Sequence, residues 1–406
     1  MNSATISSPK TVKKMKISYI YSVIIGLLPI LSIYKDIFNI AEVATILLIA
    51  FSPFVLLRMV NKNKITISTG KILLLFFLLD AGASVFIWGT YSANNHRTAI
   101  LTYMIMVYCF IVHILIGTGT LFNRKIAMLT VQRISILNTA IIVLQYIAHY
   151  LFNVYFNPTI TNLLIDDAQV YTSYLSSGMS FGVFRPAGLF LEPSHFTLFS
   201  AIALWSILFA YNPKKKQIMY AIIISLGIVL TTSGMGIVLN FLMWGAFFIK
   251  RRNISKKIIF NVLVGIIVFA ISITVLYQFN FFQYAIYRMF TGDIRTSALY
   301  TRIYNMQYLE NMSSKWLGEG FMNFPETIVG YSNGAVKLIY GQGIIGAILF
   351  ITILFIQFIR TNYSGKILAL CLLGLFFVAE MYSTVYLLFY LMFLFSVPIK
   401  HLKSQI

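Results

Sequence analysis

Residues 184–210 read FRPAGLFLEPSHFTLFSAIALWSILFA. The first half carries Arg185, Glu192 and His195, and the second half, from Phe196 to Ala210, is an unbroken apolar run apart from small hydroxyls. Charge is expensive beside hydrocarbon, so ionisable residues gathered where an apolar helix begins need a reason. Pro186, Gly188 and Pro193 shape a loop rather than a continuous helix. Proline suits the first turn of a helix, so the helix is expected to start at Pro193, with Ser194 and His195 in that turn.

The pattern extends along the whole chain. Of 406 residues, 59% are hydrophobic and 16% aromatic, and the mean hydropathy is +0.83. Average proteins hold about 45–50% apolar residues. Apolar spans are expected at about 17–34, 37–57, 71–91, 97–117, 134–152, 194–211, 217–232, 235–249, 258–280, 333–359, 365–380 and 382–398. In lipid each backbone amide must be satisfied within its own segment, so these runs read as helices. The fold expected is an all-α polytopic membrane protein of about 12 transmembrane helices, one integral membrane domain over 1–406.

The net charge of +20 at first suggests a nucleic-acid partner. Its distribution removes that reading. With the N-terminus inside, the short inner segments hold most of the 31 Lys and Arg and none of the 11 Asp and Glu. This is the positive-inside pattern, and it predicts that both termini are cytoplasmic. The basic excess then serves topology and attraction to anionic membrane lipid, with no nucleic acid involved. Lys10, Lys13, Lys14 and Lys16 precede the first span without a small-residue cleavage site after it, so that span is expected to remain uncleaved. Cys109 and Cys371 lie in apolar runs and read as small buried hydrophobes.

Two outer connections are long, at 153–193 and 281–332, and loops of that length are usually functional. The inner loops leave no room for a cytosolic catalytic domain, and no Walker-type phosphate loop occurs. Nucleotide-dependent chemistry is therefore a poor fit, and any chemistry belongs on the outer face. In the second loop Arg288, Arg295 and Arg302 are seven apart, a spacing that drifts only about 20° per heptad on a helix. Gly292 and Asp293 interrupt that segment, so the stripe holds best for Arg295 and Arg302, with Leu299, Met306 and Leu309 near the same face. Such arginines either snorkel to headgroups or clamp a phosphorylated lipid substrate. Asp166 and Asp167 diverge as neighbours and have no third ligand nearby, so no metal is expected.

At the Pro193 helix start, free amides and the helix dipole favour a phosphate. Arg185 can add a full charge to the same anion. Glu192 in that positive field stays ionised and able to act as a base. His195 is biased to its neutral form and can bond a sugar hydroxyl. The bland alternatives are a Glu192–Arg185 pair and a His195 that caps a loop carbonyl. Glu42, Asp80, His113, Lys337 and Glu380 are further ionisables within or beside apolar spans, and Asp80 is expected to pair with a neighbour such as His113. Lys337 and Glu380 are placed near the outer interface, where they can join the site.

The segment Arg185-Pro-x-Gly-x-Phe-x-Glu-Pro-Ser194 resembles one found in Wzy-type O-antigen polymerases, which join oligosaccharide repeat units. The hairpin LTTSGMG at 230–236 is similar to that family's Ser-Gly turn. Trp316-Leu-Gly-Glu-Gly320, followed by Asn333 and Gly343-Ile-Ile-Gly346, resembles the end of its second loop and the next helix. The resemblance implies a GT-C-like fold with two large periplasmic loops and residence in the bacterial inner membrane. It also implies a glycosyltransferase that needs no cofactor and moves a growing glycan from undecaprenyl pyrophosphate to a lipid-linked repeat unit. By this analogy Arg185, Arg295 and Arg302, with Arg288, Asn333 and Lys337, bind pyrophosphate or glycan, while Glu192 or His195 orients or deprotonates the acceptor. A chain-length-determinant protein and a flippase are the partners implied. Two departures stand out. No Gly follows any of these arginines at the eleven-residue offset seen in some polymerases, and Ser332 stands where the related O-antigen ligases carry His. The second departure favours polymerase over ligase. A flippase would be expected to keep short loops on both faces.

Overall fold

A computed structural model describes residues 9–35, 42–62, 68–88, 93–154, 156–164, 184–210, 213–250, 278, 283, 306–321, 324, 332–379 and 381–398. The described residues are mostly helix and contain no strand, and isolated bridges join Tyr34 to Leu164 and Lys35 to Glu42. The main helices are α1 (Pro9–Leu31), α2 (Val43–Lys62), α3 (Thr69–Trp88), α4 (Ala93–Cys109), α5 (Arg124–Phe152), α6 (Pro193–Trp205), α7 (Lys215–Leu230), α8 (Gly234–Lys250), α9 (Gly334–Arg360), α10 (Tyr363–Val378) and α11 (Thr384–Phe395). π-Helical turns prolong α4 through Phe110–Gly117 and α6 through Ser206–Ala210.

Among the described residues, six stretches are long and apolar enough to cross a membrane: Val43–Asn61, Thr69–Phe86, Ala99–Thr120, Arg124–Phe152, Pro193–Ala210 and Gly334–Arg360. Lys16–Leu31, Gly234–Lys250, Tyr363–Val378 and Thr384–Phe395 are apolar but shorter. Leu57, Leu79, Phe86 and Leu151 are each more than 60% exposed on the outside of the bundle. Water would not tolerate so much apolar surface, whereas hydrocarbon does. The protein is a helical membrane protein. The expected span at 258–280 lies outside the described residues.

The stretch quoted first forms the centre of the bundle. The Pro193–Ala210 window is 83% buried, and α6 packs against α5, α7, α8 and α10. Across from it on α11, Phe389 stacks on Phe199, and the Tyr390 hydroxyl donates to the Leu198 carbonyl at 2.6 Å. Both cysteines are buried and free, as expected. His113 does not pair with Asp80. Its ring lies 2.9 Å from the Tyr21 hydroxyl at Nδ1 and 3.1 Å from the Leu48 carbonyl at Nε2, because the π-turn sets it against α1 and α2.

Charge separates by end. The starts of α2, α6, α8, α9 and α11 share one end, where Glu42 and Glu192 lie. At the other end Arg124 Nη1 donates to the Ser396 carbonyl and Arg360 Nη1 to the Thr69 hydroxyl. Lys214, Lys215, Lys216, Lys250 and Lys366 also fall at that end by their places at helix termini.

The end of the second loop, 313–321, inserts into the bundle. α9 breaks at Gly343, whose φ of 69° and ψ of −168° are not helical. Into the break runs Lys315–Gly318: Ile344 N donates to the Lys315 carbonyl at 2.9 Å and Ile345 N to the Trp316 carbonyl at 3.2 Å. Glu319 N donates to the Tyr340 carbonyl at 2.7 Å, and the Glu319 carboxylate accepts from Ser313 and Ser314. The helix break thus finds partners for the amides it frees. A Cβ on Gly343 would stand 2.1 Å from the Trp316 oxygen. That atom is backbone and cannot swing away. Gly343→Ala is therefore expected to lower the melting temperature in detergent sharply or abolish folded protein. Gly374→Ala, where a Cβ meets open space, should change stability by no more than about 1 kcal/mol. Equal melting of the two variants would contradict the packing described.

Candidate functional site

Two amides of α5 hold the loop that leads to α6. Asn138 and Gln145, both fully buried, are seven residues apart and so share one helix face. Asn138 Oδ1 accepts from Leu189 N at 2.6 Å, and Gln145 Oε1 accepts from Gly188 N at 2.9 Å. Asn138 Nδ2 donates to the Ala187 carbonyl at 3.4 Å, and Gln145 Nε2 to the Phe156 carbonyl at 3.1 Å. Gly188 has φ of 66°, and a Cβ there would fall 2.2 Å from Asn138 Oδ1. Upstream, Phe184 stacks on His149 at 4.2 Å between ring centroids. Downstream, Phe190 packs on Phe196 and Phe199. Both flanks of the turn are anchored.

This fixes the three residues that opened the sequence reading. Arg185 Nε donates to Thr232 Oγ1 at 3.1 Å, joining the loop to the LTTSGMG hairpin. Thr232 sits at φ of 54°, and Thr231, Thr232 and Ser233 are all buried. Glu192 takes the N-cap of α6 in an extended conformation, with Pro193 in the first turn as expected. Its carboxylate does not cap the helix; Oε2 accepts from the Ser194 hydroxyl at 3.1 Å.

Around His195 lies a polar cluster drawn from four elements. Its ring centroid is 5.7 Å from that of Tyr386 on α11. The charges of Glu192 and of Lys337 on α9 both reach the His195 ring. Those of Glu192 and Glu42, at the start of α2, both reach Tyr386. Lys337 is only 9% exposed and Tyr386 only 6%. Three buried polar atoms in this cluster have no hydrogen-bond partner: Glu42 Oε2, His195 Nδ1 and the Tyr386 hydroxyl. Buried polar groups are nearly always paired, so three orphans gathered around Tyr386 mark a candidate place for a polar ligand.

Glu42 arrives there by a strap. Val43 N donates to the Tyr34 carbonyl at 2.9 Å, and Lys35 N to the Leu163 carbonyl at 2.8 Å. Ile33, Leu164 and Leu191 pack into one small apolar cluster with Tyr34 against it. Leu191 adjoins Glu192, so the α1–α2 connection and the first loop meet beside the start of α6. Burial pushes the Glu42 carboxyl up to about 7.

Of the residues expected from sequence, Arg185, Glu192, His195 and Lys337 are brought to this end of the bundle. Asn333 is close in sequence to Lys337, yet its Oδ1 accepts from Val336 N at 2.8 Å, which caps α9. Arg288, Arg295 and Arg302 lie outside the described residues, as do Asp166, Asp167 and Glu380. Sequence reasoning missed Tyr386, Thr232, Asn138 and Gln145 and left Glu42 unassigned. Only Glu42 carried a signal, as a lone acid beside an apolar span. No group of three or more His, Cys, Asp or Glu gathers to hold a metal among the described residues.

A second buried polar group lies nearer the helix break. Asp80 Oδ2 and Gln342 Oε1 have no donor, while Gln342 Nε2 bonds the Tyr382 hydroxyl. A Cβ on Gly346 would stand 2.8 Å from the first oxygen and 3.1 Å from the second, so the two are near neighbours. With the Gln342 carboxamide turned end for end, its oxygen accepts from Tyr382 and its amino group points to the side on which Asp80 lies. This is a structural network.

The raised Glu42 carboxyl has a consequence for stability. Its folded value of about 7 exceeds its ordinary value of 4.5. The folded state therefore holds the proton more tightly than the unfolded chain does. Its stabilising contribution is full below about pH 4.5 and is lost as pH rises through about 7. Melting in detergent from pH 5 to pH 8 should fall for wild type and fall less for Glu42→Gln, which cannot ionise. An identical slope in the two would remove Glu42 from the buried position. Comparison of the chain with protein-family models finds no match, and comparison with curated proteins finds none either.

Proposed function

We propose that this protein is a polysaccharide polymerase that joins undecaprenyl-pyrophosphate-linked oligosaccharide repeat units into O-antigen, capsular or exopolysaccharide chains by glycosyl transfer. The observation that carries the reading is the set of three unpartnered buried atoms in the cluster that Lys337 reaches, with Arg185 at the same end of the bundle, where several helices start. A sugar hydroxyl, donor and acceptor at once, suits Glu42 Oε2, His195 Nδ1 and the Tyr386 hydroxyl. A pyrophosphate suits Lys337, Arg185 and helix N-termini, all of which favour anions. Transfer from a lipid pyrophosphate develops negative charge on the leaving group, and preorganised positive groups stabilise it. In this account Glu192 and His195 bind and orient the acceptor hydroxyl, and Arg185, Lys337 and, from the second loop, Arg288, Arg295 and Arg302 hold the pyrophosphate. Asn333 supports the site by capping the helix that carries Lys337.

The separation of charge supports placing this site outside. Basic residues at the opposite helix ends fit a cytoplasmic face, and the twelve-span layout with both termini inside follows from the same rule. Lipid-linked repeat units reaching the periplasmic face of an inner membrane would then meet it directly. The inserted segment 313–321 and the broken helix α9 join the two motifs whose likeness to the polymerase family rests on Trp316–Gly320 and Gly343–Gly346. A lipid-linked oligosaccharide flippase is the second reading, favoured by the break at Gly343, since discontinuous helices often line transport sites.

The surface polysaccharide of a deletion strain separates these readings. A polymerase predicts lipid A–core carrying a single repeat unit, whereas loss of a ligase leaves long polymer on the carrier and bare core. Loss of a flippase leaves neither polymer nor single repeat on the core. Complementation with Arg185→Ala or Lys337→Ala should restore less than a tenth of the long chains at normal membrane abundance, while wild type restores them fully. Long chains at the wild-type level from both variants would overturn the site assignment.

A further inference from the structure

Two carboxylates reach Tyr386, and their surroundings differ. Glu192 Oε2 accepts a hydrogen bond from the Ser194 hydroxyl, so that oxygen is already engaged. Glu42 Oε2 is buried and accepts from nothing. A carboxylate stripped of water and of donors binds a proton more strongly. Tyr386 from α11 feels the charges of both Glu42 and Glu192, His195 beside it on α6 feels those of Glu192 and of Lys337 from α9, and Lys35 is the backbone bridge partner of Glu42.

We propose that Glu42 is the general base of the transfer, its Oε2 taking the proton of the acceptor hydroxyl that Glu192 and His195 orient. The assignment rests on the polymerase reading above. In the step, the acceptor O–H bond breaks and its proton passes to Glu42 Oε2. The acceptor oxygen's electron pair forms the bond to the anomeric carbon of the donor glycan. The bond from that carbon to the pyrophosphate oxygen breaks, and its electron pair leaves with the lipid pyrophosphate, facing Lys337 and Arg185. No oxidant, reductant or third reactant enters. Burial pushes this carboxyl up to about 7, so near neutral pH a substantial fraction of it is ionised and able to take a proton. The Tyr34–Lys35 strap and the Leu191 contact then gain a purpose, since they hold the start of α2 against the start of α6.

The test uses the full-length protein in proteoliposomes with a synthetic undecaprenyl-pyrophosphate-linked repeat unit, scored for chain growth across pH 5.5 to 8.5. Wild type should lose rate as pH falls through about 7, because protonated Glu42 cannot accept a proton. Glu42→Gln, close to isosteric, should lose about 10²-fold or more in kcat while KM changes less than threefold, and its residual rate should lack that acid limb. Glu42→Asp should recover part of the rate. Wild-type kcat in Glu42→Gln, or an unchanged acid limb in its residual activity, overturns the assignment and leaves the polymerase reading in place. A wild-type protein that extends no chain from this substrate overturns both.

Discussion

The turn Ala187–Leu189 sits inside a bundle of apolar helices, where its amides have no water to bond. Asn138 and Gln145 take the place of that water, and most of the site follows from those four bonds. They fix the path from Phe184 to Pro193, and with it the point at which Arg185 meets Thr232 and Glu192 meets the start of α6. Leaving a buried amide unpaired costs about 1–3 kcal/mol. Two such amides are enough to make one loop conformation the preferred one. The same logic governs the break in α9, where Lys315–Gly318 supplies the carbonyls that the interrupted helix no longer provides.

Against this background of satisfied groups, the orphans stand out. Glu42, His195 and Tyr386 come from α2, α6 and α11, which are remote in sequence, and each leaves a buried atom unpaired at one end of the molecule. Asp80 and Gln342 also leave oxygens unpaired, but nearer the helix break, where Gln342 already bonds the Tyr382 hydroxyl. Glu42, His195 and Tyr386 instead leave their atoms unpaired around Tyr386, where the charges of Glu192 and Lys337 also reach, a cluster suited to a polar, anionic ligand. That distinction separates a site from a structural network.

Much of the fold was legible because hydrocarbon restricts the choices. Apolar runs read as helices, Pro193 marked the start of α6, and the distribution of Lys and Arg anticipated which end, opposite the basic helix termini, carries the candidate site. Arg185, Glu192, His195 and Lys337 were legible as charges too expensive to be idle in this setting. Tyr386 and Tyr390 were hidden in an apolar, aromatic run where a tyrosine reads as core. Asn138 and Gln145 were hidden for the opposite reason: a neutral amide in a helix raises no alarm until the loop it holds is seen. The partner of Asp80 was misjudged because a π-turn rotates His113 toward α1, and sequence periodicity gives no warning of such a turn.

The central claim is that one end of the bundle, opposite the basic helix termini, holds the reacting sugar. A lipid-pyrophosphate-linked repeat unit carrying a photoreactive group on its first sugar, irradiated in membranes containing the protein and mapped by peptide mass spectrometry, addresses it directly. The account predicts adducts within 184–195, 332–337 and 382–386 and near Glu42, competed away by unmodified substrate. Adducts confined to the basic end, near Lys214–Lys216 or Arg360–Lys366, would contradict it.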